Sequence, residues 1–436
     1  MNARPASLLL ALTTSLVFLA ACEDVSSPAG PRPPVPAADA SVGADGSIVG
    51  APTYHGEVRP ILAARCEGCH LPGGIAPFAL DTYDIAAGLS MRIAEVTRAR
   101  TMPPYPVNAS GDCHTFDDPR YLDEHEIATL EAWHAAGAPL GDPSTPAPTR
   151  MEPPTLAPGE ATHAVELEVA YTPERSDDDT PLDEIRCFLV DPGLAAEGFL
   201  TGYEVVPGAP SVVHHAILFE PESAAAAADA AALDAEDARA GYDCNGGSRV
   251  ASHPVVLWAP GGGAQRFPAG TGLRIATHPM VLQIHYNLSA GAVPDRTRVD
   301  LVVTAGGVRE AQMMSIADPR ALLLAPRSTA ATAEATVMAP SAGQIWGAFP
   351  HMHQRGRTMR ITQRRAGAAD ACMLDVDRWD FDWQLGYYYE SPIAVARGDV
   401  IHVECSFDTT GETEMVTWGE GTPNEMCITY LYVTGP

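Results

Sequence analysis

The stretch His163-Ala-Val-Glu-Leu-Glu-Val-Ala-Tyr171 alternates apolar and polar side chains, which predicts a β-strand with one buried face. Later runs of β-branched and aromatic residues, each bounded by turn residues, predict further strands at Thr297–Thr304, Val400–Phe407 and Met426–Val433. Many short strands with little helix predict β-sandwiches for residues 160–436. The Ala-rich, acidic run Ser223–Arg239 is the exception, and it predicts a surface helix between strands.

An N-terminal segment, residues 51–140, has helical patterns instead. Helices are predicted at Thr53–Ala64, Ser90–Thr101 and Leu122–Ala136. The Pro-rich stretch 141–159 separates this segment from the β region and predicts an inter-domain linker. The sequence therefore predicts a small all-α domain followed by β-sandwich domains, a division that suits a chain of 436 residues.

The extreme N-terminus has the pattern of an export signal. Arg4 precedes an apolar run, Leu8–Ala21, that is shorter than the roughly 20 residues needed to span a bilayer. The run leads into a Leu-Ala-Ala-Cys box that ends at Cys22 and resembles the cleavage site of bacterial lipoproteins. Residues 1–21 are therefore predicted to be a lipoprotein signal peptide, and the Ala-, Pro- and Ser-rich residues 22–50 a flexible tether. We expect an exported protein, held at a membrane by lipid alone and facing the periplasm or the cell surface.

The charge balance limits the classes of partner. The formal net charge is −28, and every basic residue is Arg because the sequence contains no Lys. Nucleic acid and anionic lipid headgroups would repel such a surface, which argues against both as partners. The charge suits a soluble domain, since most acidic excess simply keeps a protein in solution, and a basic electron-transfer partner is the alternative interpretation.

The run Cys66-Glu67-Gly68-Cys69-His70 has the spacing of covalent haem attachment, in which two thioethers hold the porphyrin and the adjacent His binds iron. A zinc site would need a second ligand pair at suitable spacing, and a redox Cys pair would need a βαβ context. The sequence has neither nearby. In an exported helical segment, the run predicts a covalent haem c, and residues 51–140 resemble a class I cytochrome c domain.

The expected sixth ligand of this haem is Met102. It lies in Thr101-Met102-Pro103-Pro104, a Pro-stiffened loop after a predicted helix, as in cytochrome c. Met91 is the alternative, although the helix pattern places it in the helical core. The remaining candidates in the segment are His55, His114, His125 and His134.

Two sets of residues farther along the chain have the ligand types of a metal site. In His351-Met352-His353 the two imidazoles would share one face of a strand, since side chains alternate with period 2. The adjacent His214 and His215 would face opposite sides of a regular strand, so they can share a metal only if the backbone bends. Imidazole suits copper, zinc and iron, whereas a soft Met thioether such as that of Met426 favours Cu(I).

Four motifs in this order resemble the copper type II, ascorbate-dependent monooxygenases, the family of dopamine β-monooxygenase and peptidylglycine α-hydroxylating monooxygenase. The motifs are Val212–Phe219, Leu282–Tyr286, His351–His353 with Gly356 and Arg357, and Glu425–Cys427. The resemblance covers most of residues 160–436. It implies two antiparallel jelly-roll sandwiches, residues 160–309 and 310–436, each with one copper that faces a wet cleft.

The resemblance also implies the ligands and the chemistry of both copper sites. The electron-storing copper would bind His214, His215 and His285, and the copper where oxygen reacts would bind His351, His353 and Met426. The implied activity is hydroxylation of a C–H bond of a small organic substrate by O2, with electrons from ascorbate or an electron-donor protein. His278 is the best rival to His285, while His253 and His402 are expected not to be ligands.

The chain has nine Cys, and an exported protein can form disulfides. With Cys22 assigned to lipid and two Cys to haem, the others are Cys113, Cys187, Cys244, Cys372, Cys405 and Cys427. Spacing alone does not choose among their pairings. The family resemblance implies the pairs Cys405–Cys427 and Cys187–Cys244. Cys113 and Cys372 have no family partner, and they either pair across domains or stay free.

The substrate side departs from the peptide-hydroxylating branch of the family, which has an Arg two residues before the His-x-His motif. Here Phe349 occupies that position and Pro350 follows it. A peptidylglycine substrate is therefore not expected, and an apolar or aromatic substrate is more compatible. Tyr430 matches a substrate-side Tyr of the family, although a Tyr there equally suits a sandwich core.

These features together predict a lipid-anchored copper monooxygenase with its own cytochrome c domain, in which the haem passes electrons to the coppers. The alternative is a haem–copper electron-transfer or copper-binding protein without oxygenase turnover. The presence of both ligand sets, including Met426, favours the enzyme.

Overall fold

The structure is a computed structural model. It describes residues 41–42, 48–73, 76–108, 110–117, 121–148, 154–174, 183–244, 247–260, 262–381, 383–419 and 424–435. The predicted signal peptide, Cys22 and most of the predicted tether lie outside these residues. Within them, every helix is too short or too polar to cross a bilayer.

The N-terminal part of the described chain is helical. Its elements are a π-helix at Tyr54–Val58, α1 at Arg59–Arg65, α2 at Tyr83–Gly88, α3 at Ser90–Arg98 and α4 at Glu124–Ala135. The Asp123 carboxylate accepts from the Glu126 N–H while the Glu126 side chain accepts from the Asp123 N–H, a capping box that starts α4. Leu62, Leu130 and Trp133 are fully buried between the helices. We call the described residues of 53–101 and 121–140 the helical unit.

The rest of the chain is mostly β-sheet. The strands are β1 Ser41–Val42, β2 Ile48–Val49, β3 His163–Glu166, β4 Asp183–Val190, β5 Gly198–Val206, β6 Val213–Pro221, β7 Tyr242–Asp243, β8 Ser252–Trp258, β9 Gln265–Arg266, β10 Thr271–Ile275, β11 Met280–Asn287, β12 Arg298–Thr304, β13 Arg309–Ala317, β14 Leu323–Leu324, β15 Ala331–Met338, β16 Gly343–His351, β17 Gly356–Arg364, β18 Ala371–Val376, β19 Tyr387–Val395, β20 Val400–Phe407, β21 Val416–Thr417 and β22 Ile428–Thr434. Helix α5, Ala224–Glu236, and a short 3₁₀-helix, Leu288–Ala290, interrupt them.

The strands form two sandwich halves. In the first half, a five-stranded sheet of order β7-β4-β11-β6-β8 packs on β3, β5, β10 and β12 through an apolar core that includes Leu200, Leu218 and Leu282. In the second half, a four-stranded sheet of order β15-β20-β17-β18 packs on β13, β16, β19 and β22, with Ile361 and Leu431 in its core. The predicted mostly-β architecture and the surface helix at α5 are confirmed.

One nine-stranded sheet runs through both halves. Its main path is β19-β16-β22-β13-β10-β5-β12-β3, and β10 pairs with β13 in parallel, from Thr271 opposite Arg309 to Leu273 opposite Ala311. β10 belongs to the first half and β13 to the second, so this parallel pair lies at the junction of the two sandwiches and not within either one. After β12 the chain turns at Gly307 and crosses to the far side of β10, so β13 runs beside β10 in the same direction. The shared sheet fixes the position of one half against the other.

A loop that follows α3 leaves the helical unit and packs on the second half. Val107 pairs with Val376, and Phe116 with Tyr389, in isolated antiparallel bridges. Tyr105, Val107 and Phe116 belong to the apolar core of that half. We call the described residues of 105–117 the docked loop. Through it, a segment that the sequence assigned to the small α domain becomes part of a β-sandwich.

Three disulfides are formed among the described residues. Cys187–Cys244 and Cys405–Cys427, the two pairs implied by the family resemblance, are confirmed. Cys113–Cys372 joins the docked loop to β18, which answers the pairing that the sequence left open.

Candidate metal centres

The first ligand set stands where β6 and β11 pair. His285 of β11 lies opposite His215 of β6, but the next residue, Tyr286, pairs with Val213. His214 is therefore the extra residue of a β-bulge, which supplies the backbone bend that two adjacent His need to face one side. One side-chain nitrogen from each of His214, His215 and His285 lies within 4.8 Å of the other two.

The first set is buried, and burial favours the neutral form of two of its three imidazoles. Burial is the main cause that lowers the pKa of His214 to about 4 and the pKa of His215 well below its ordinary value. His285 donates from Nε2 to the Asp183 carboxylate at 3.1 Å. The Nδ1 of His214 is buried without a hydrogen-bond partner among the described residues. Neutral imidazoles with free nitrogens are what a metal requires, because protons and metal compete for the same lone pairs.

The second set lies at the end of β16. His351 is the last residue of that strand and His353 lies beyond it, so the two His share a face across a strand end and not inside a regular strand. Their ring centroids are 5.1 Å apart. Met426 is 4% exposed and directly precedes the disulfide-bonded Cys427 and strand β22.

Hydrogen bonds orient both imidazoles of the second set. His351 donates from Nδ1 to the Gln384 side-chain oxygen at 2.5 Å, and His353 donates from Nδ1 to the Asn424 carbonyl at 3.1 Å. Both bonds leave Nε2 as the nitrogen for a metal, and the Nε2 of His353 is buried without a partner among the described residues. Burial lowers the pKa of His351 and lowers the pKa of His353 to about 3, so both rings are neutral.

The Glu425 side chain connects the backbone segment of His353 with that of Met426. Its carboxylate accepts backbone N–H bonds from His353 at 2.8 Å, from Arg355 at 2.7 Å and from Met426 at 3.2 Å. The side chain is buried, and burial raises its pKa to about 7 against the opposing effect of these bonds. A single side chain therefore holds the backbone of one His ligand candidate and of the Met ligand candidate.

One cavity of about 420 Å³ joins the two sets. It is lined by His215 from the first half and by His351, His353 and Met426 from the second. Phe349, Pro350 and Tyr430 also line it, beside apolar side chains such as Ile217 and Leu385. The ring of Trp383, from the second half, lies 5.5 Å from the ring of His214. The arrangement places the second ligand set and His215 of the first set around one partly apolar space.

The rival histidines lie elsewhere. His278 is 3.7 Å from Glu220, and His402 hydrogen-bonds Glu334 at 3.0 Å. Among the described residues, the one group of three or more His, Cys, Asp or Glu with metal-ligand spacing is His214, His215 and His285, which leaves out His253, His278 and His402.

The predicted haem-attachment residues form a turn after α1. Cys66 and Cys69 belong to none of the three disulfides, and the N–H groups of Cys69 and His70 both donate to the Cys66 carbonyl. His70 donates from Nδ1 to the Phe78 carbonyl at 3.1 Å, which leaves Nε2 for a metal. Burial raises the pKa of the Cys66 thiol to about 12, unlike the acidic thiol of a redox-active Cys pair.

Met102 is 37% exposed and lines a second cavity, of about 450 Å³, together with Arg100 and Arg378. Cys66, Cys69 and His70 do not line this cavity. Met91 is 59% exposed, so the prediction that it packs in the helical core is wrong: it points away from the buried face of α3 that Ile93 and Ala94 form.

The other histidines of this segment have different surroundings. The Nδ1 of His134 lies 3.1 Å from the Ser90 hydroxyl. His114, in the docked loop, lies beside Tyr389 of β19. His55 follows Tyr54 in the π-helix, and His125 is in the first turn of α4.

Sequence reasoning missed four residues that shape the sites, namely Asp183, Trp383, Gln384 and Glu425. Glu425 belongs to the motif Glu425–Cys427, so its position beside a ligand candidate was the signal that could have identified it. Asp183 and Gln384 meet their His across 102 and 33 residues of chain, and no local pattern marks them.

The second sandwich half has the most direct similarity to known proteins. Residues 312–434 match the family model of the copper type II ascorbate-dependent monooxygenase, C-terminal domain. The chain is 25% identical over 267 residues to MOXD1 homolog 1 of Drosophila melanogaster, covering 55% of this chain and 38% of that protein. It is 32% identical over 92 residues to DBH-like monooxygenase protein 1 of Gallus gallus, covering 21% of this chain and 15% of that protein.

A third relative is tyramine beta-hydroxylase of Caenorhabditis briggsae, 25% identical over 203 residues, with 42% of this chain and 34% of that protein covered. The chain thus spans less than two fifths of the length of these relatives. Among solved structures, the infectious bursal disease virus VP2 subviral particle has 11% identity over 65% of this chain and 75% of that chain, with a TM-score of 0.19, too low to carry a comparison. By these matches the chain is similar to the copper type II ascorbate-dependent monooxygenases, with residues 312–434 similar to their C-terminal domain.

Proposed function

We propose that this protein is a copper monooxygenase that hydroxylates a C–H bond of a small organic substrate with O2. The observation that carries the proposal is the cavity of about 420 Å³ that His215 shares with His351, His353 and Met426. Two metal-ligand sets from two sandwich halves around one space suit a reaction that needs two electrons and a bound substrate. The family relationship of residues 312–434 supports the same activity.

The donor atoms fit copper at both sets. We assign one copper to His214, His215 and His285 and the other to His351, His353 and Met426. Three imidazoles suit copper at the first set, and the thioether of Met426 adds to the second set a soft donor that stabilises Cu(I). Copper held in this way would supply the one-electron redox steps and the reaction with O2.

Hydrogen bonds with neighbouring residues orient the ligand candidates of both sets. Asp183 and Gln384 each accept a hydrogen bond from one His and fix the orientation of its ring. Glu425 holds the backbone at His353 and Met426. Such partners commonly decide whether a ligand set binds metal tightly, because they set ring orientation and ligand basicity.

The walls of the cavity favour an apolar or aromatic substrate. Phe349 lines the cavity where the peptide-hydroxylating branch has an Arg, and its ring is 5.4 Å from that of Tyr388. Tyr430 lines the same space and pairs with Phe349 across β22 and β16. An aromatic wall buries substrate area and excludes water, and it offers a carboxylate no cationic partner at this position.

For the helical unit we propose a covalent haem c that Cys66 and Cys69 would hold, with His70 and Met102 as the residues that would bind its iron. The spacing of the two Cys, neither of which is in a disulfide, and the oriented His70 ring fit this role. The haem would relay electrons to copper and replace or supplement ascorbate. We further propose export and attachment to a membrane through lipid on Cys22, on the basis of the N-terminal sequence pattern.

Oxygen consumption with product analysis tests the proposed activity. Copper-loaded protein with ascorbate and a panel of phenyl-substituted and aliphatic substrates should consume O2 and yield a product heavier by one oxygen atom. Copper-free protein is the control and should do neither. Copper-loaded protein that passes electrons to an acceptor but oxygenates no substrate would contradict the proposal and favour an electron-transfer protein.

A further inference from the structure

The segment between β18 and β19 touches both the helical unit and the second ligand set. We call the described residues of 377–386 the bridging segment. The Arg378 guanidinium donates from Nη1 to the Ala99 carbonyl at 3.0 Å and to the Arg100 carbonyl at 2.8 Å. These carbonyls directly follow Arg98, the last residue of α3, and directly precede Thr101 and Met102. Arg378, Arg100 and Met102 also line one cavity.

The next residue in the chain reaches a ligand candidate. The Trp379 indole donates from Nε1 to the His353 carbonyl at 3.0 Å, and its backbone N–H donates to the Arg357 carbonyl at 2.7 Å. A Cβ placed on Gly356 would lie 2.7 Å from the indole Cδ1, so the ring sits tightly on that glycine. Two hydrogen bonds and two consecutive residues therefore connect the end of α3 with His353.

The same segment has a longer arm toward the first ligand set. Trp383 lies beside the His214 ring, with centroids 5.5 Å apart. Four residues of chain lie between Arg378 and Trp383 on this arm. It is the competing connection, because it starts at the same guanidinium but ends at the other metal site.

The contact between the helical unit and the second half is held in place. The docked loop donates backbone N–H bonds from Asn108 to Asp375 at 2.7 Å and from Asp117 to Tyr388 at 2.9 Å. The Cys113–Cys372 disulfide closes the same contact covalently. These restraints lie on both sides of the bridging segment, so the distance from α3 to His353 is fixed by the fold.

We propose that Arg378 and Trp379 form the route by which electrons pass from the helical unit to the site of His351, His353 and Met426. The proposal rests on the proposed function, since it needs a haem c and copper in their assigned places. Each passage moves one electron, oxidising a ferrous haem and reducing a cupric ion, and no bond is made or broken. Electron transfer through bonded and hydrogen-bonded atoms is faster than through an equal distance of solvent. The connection through Arg378 and Trp379 has fewer residues than the one to Trp383, which favours it as the route.

The kinetic test uses the whole protein with haem and copper in place. The haem is reduced, and its reoxidation by Cu(II) is followed without O2 by the change in haem absorbance. Trp379→Phe removes the indole donor to His353 and keeps an aromatic ring. Its matched control is Trp346→Phe, which removes the bond from the Trp346 indole to the Thr434 hydroxyl, away from the bridging segment. We expect a several-fold slower reoxidation in Trp379→Phe, with unchanged copper content, and a wild-type rate in Trp346→Phe.

A second readout needs neither metal nor haem. In copper-free protein, Arg378→Gln removes the bonds to Ala99 and Arg100, so hydrogen exchange should speed up at the Thr101 and Met102 amides, which donate to the Val96 carbonyl. Arg274→Gln, which breaks an exposed ion pair with Glu310, is the control and should leave these amides unchanged.

The outcomes distinguish two claims: that the haem passes electrons to copper, which we call the relay, and that these electrons pass through Arg378 and Trp379, which we call the route. Wild-type haem that reoxidises equally with and without copper would overturn the relay and the route together. A copper-dependent wild-type rate that Trp379→Phe leaves intact would overturn the route alone. The route is also overturned if Trp383→Phe slows reoxidation while Trp379→Phe does not, or if Trp379→Phe loses copper, since Trp379 would then only position His353.

Discussion

His285 lies directly opposite His215 in the pairing of β11 with β6, and the two Nδ1 atoms are 3.3 Å apart. The bulge at His214 turns a third imidazole toward the same point. Two neighbouring strands, and a ladder interrupted at one residue, thus create a three-nitrogen site. The placement of the three imidazoles follows from sheet register, because a slip of one residue would move these side chains to the other face.

Replacing His285 by Ala should empty the first metal site alone. The variant loses one of three nitrogens, while His351, His353 and Met426 belong to the other sandwich half. We expect the copper bound per chain to fall by one half, with far-UV circular dichroism unchanged because each half has its own apolar core. His253→Ala is the matched control and should bind copper as the wild type does. Full copper content in His285→Ala would mean that the first site uses other ligands.

Removing the Gln384 amide should weaken copper at the second site without removing a ligand. Gln384→Leu deletes the oxygen that accepts from His351 Nδ1, so the ring is free to rotate and to change tautomer. Loss of such a partner typically weakens metal binding by about 10- to 100-fold. Copper titration against a chelator measures the change. Gln344→Leu, on the same half but bonded to Arg309, is the control, and equal affinities in the two variants would contradict the role given to Gln384.

Breaking Cys113–Cys372 should loosen the helical unit. The double variant Cys113→Ser with Cys372→Ser frees the docked loop from β18. Removal of a native disulfide commonly costs about 2–5 kcal/mol. We expect a lower denaturation midpoint and faster proteolytic cleavage near residues 105–117. The Cys187→Ser with Cys244→Ser variant, whose disulfide lies within the first half, should leave cleavage of that loop unchanged. Wild-type resistance to cleavage in the Cys113 variant would show that the loop stays docked without the covalent link.

The buried carboxylate of Asp399 should make the second half sensitive to acid. Asp399 accepts from Arg365, from Gln363 and from the Ala396 N–H, and chiefly the Arg365 hydrogen bond lowers its pKa below the ordinary 3.8. A lowered pKa means that this stabilisation is complete above pH 3.8 and is lost as the pH falls through the folded-state value.

At neutral pH, Asp399→Asn should therefore reduce the free energy of unfolding by about 1–3 kcal/mol, the cost of unmaking buried hydrogen bonds. The difference from the wild type should shrink as the pH falls below 3.8. Denaturant unfolding at several pH values measures it, with Asp370→Asn as the exposed control on the same half. A difference that stays constant with pH would contradict the assigned ionisation.

The sequence predicts much of the fold because strands and helices have local signals. β20 spans Val400–Phe407 as predicted, and α4 begins after a capping pair visible in the sequence. The prediction for β3 extends too far: the strand ends at Glu166, opposite Arg298, the first residue of its partner β12, and Tyr171 pairs again in an isolated bridge with Asp295. Strand ends depend on the neighbour, which a local pattern does not contain.

The parts of the site that the sequence did not predict are long-range contacts. His214 and His215 are adjacent, and His351 and His353 are two residues apart, so these ligand candidates can be identified from local sequence motifs. The bulge at His214 exists only in the pairing with β11, and the docking of residues 105–117 onto β18 and β19 joins segments more than two hundred residues apart. Periodicity within residues 51–140 predicts helices but not a loop that serves another domain's core.

The central claim is that oxygen reacts at copper held by His351, His353 and Met426. Met426→Ile keeps an apolar side chain in this buried position but removes the thioether, so the site loses its preference for Cu(I). The most direct measurement is copper content together with substrate-dependent O2 uptake in this variant. We predict that copper at His214, His215 and His285 remains while O2 uptake collapses. O2 uptake at the wild-type rate would contradict the account, because oxygen would then react elsewhere and Met426 would be a core residue.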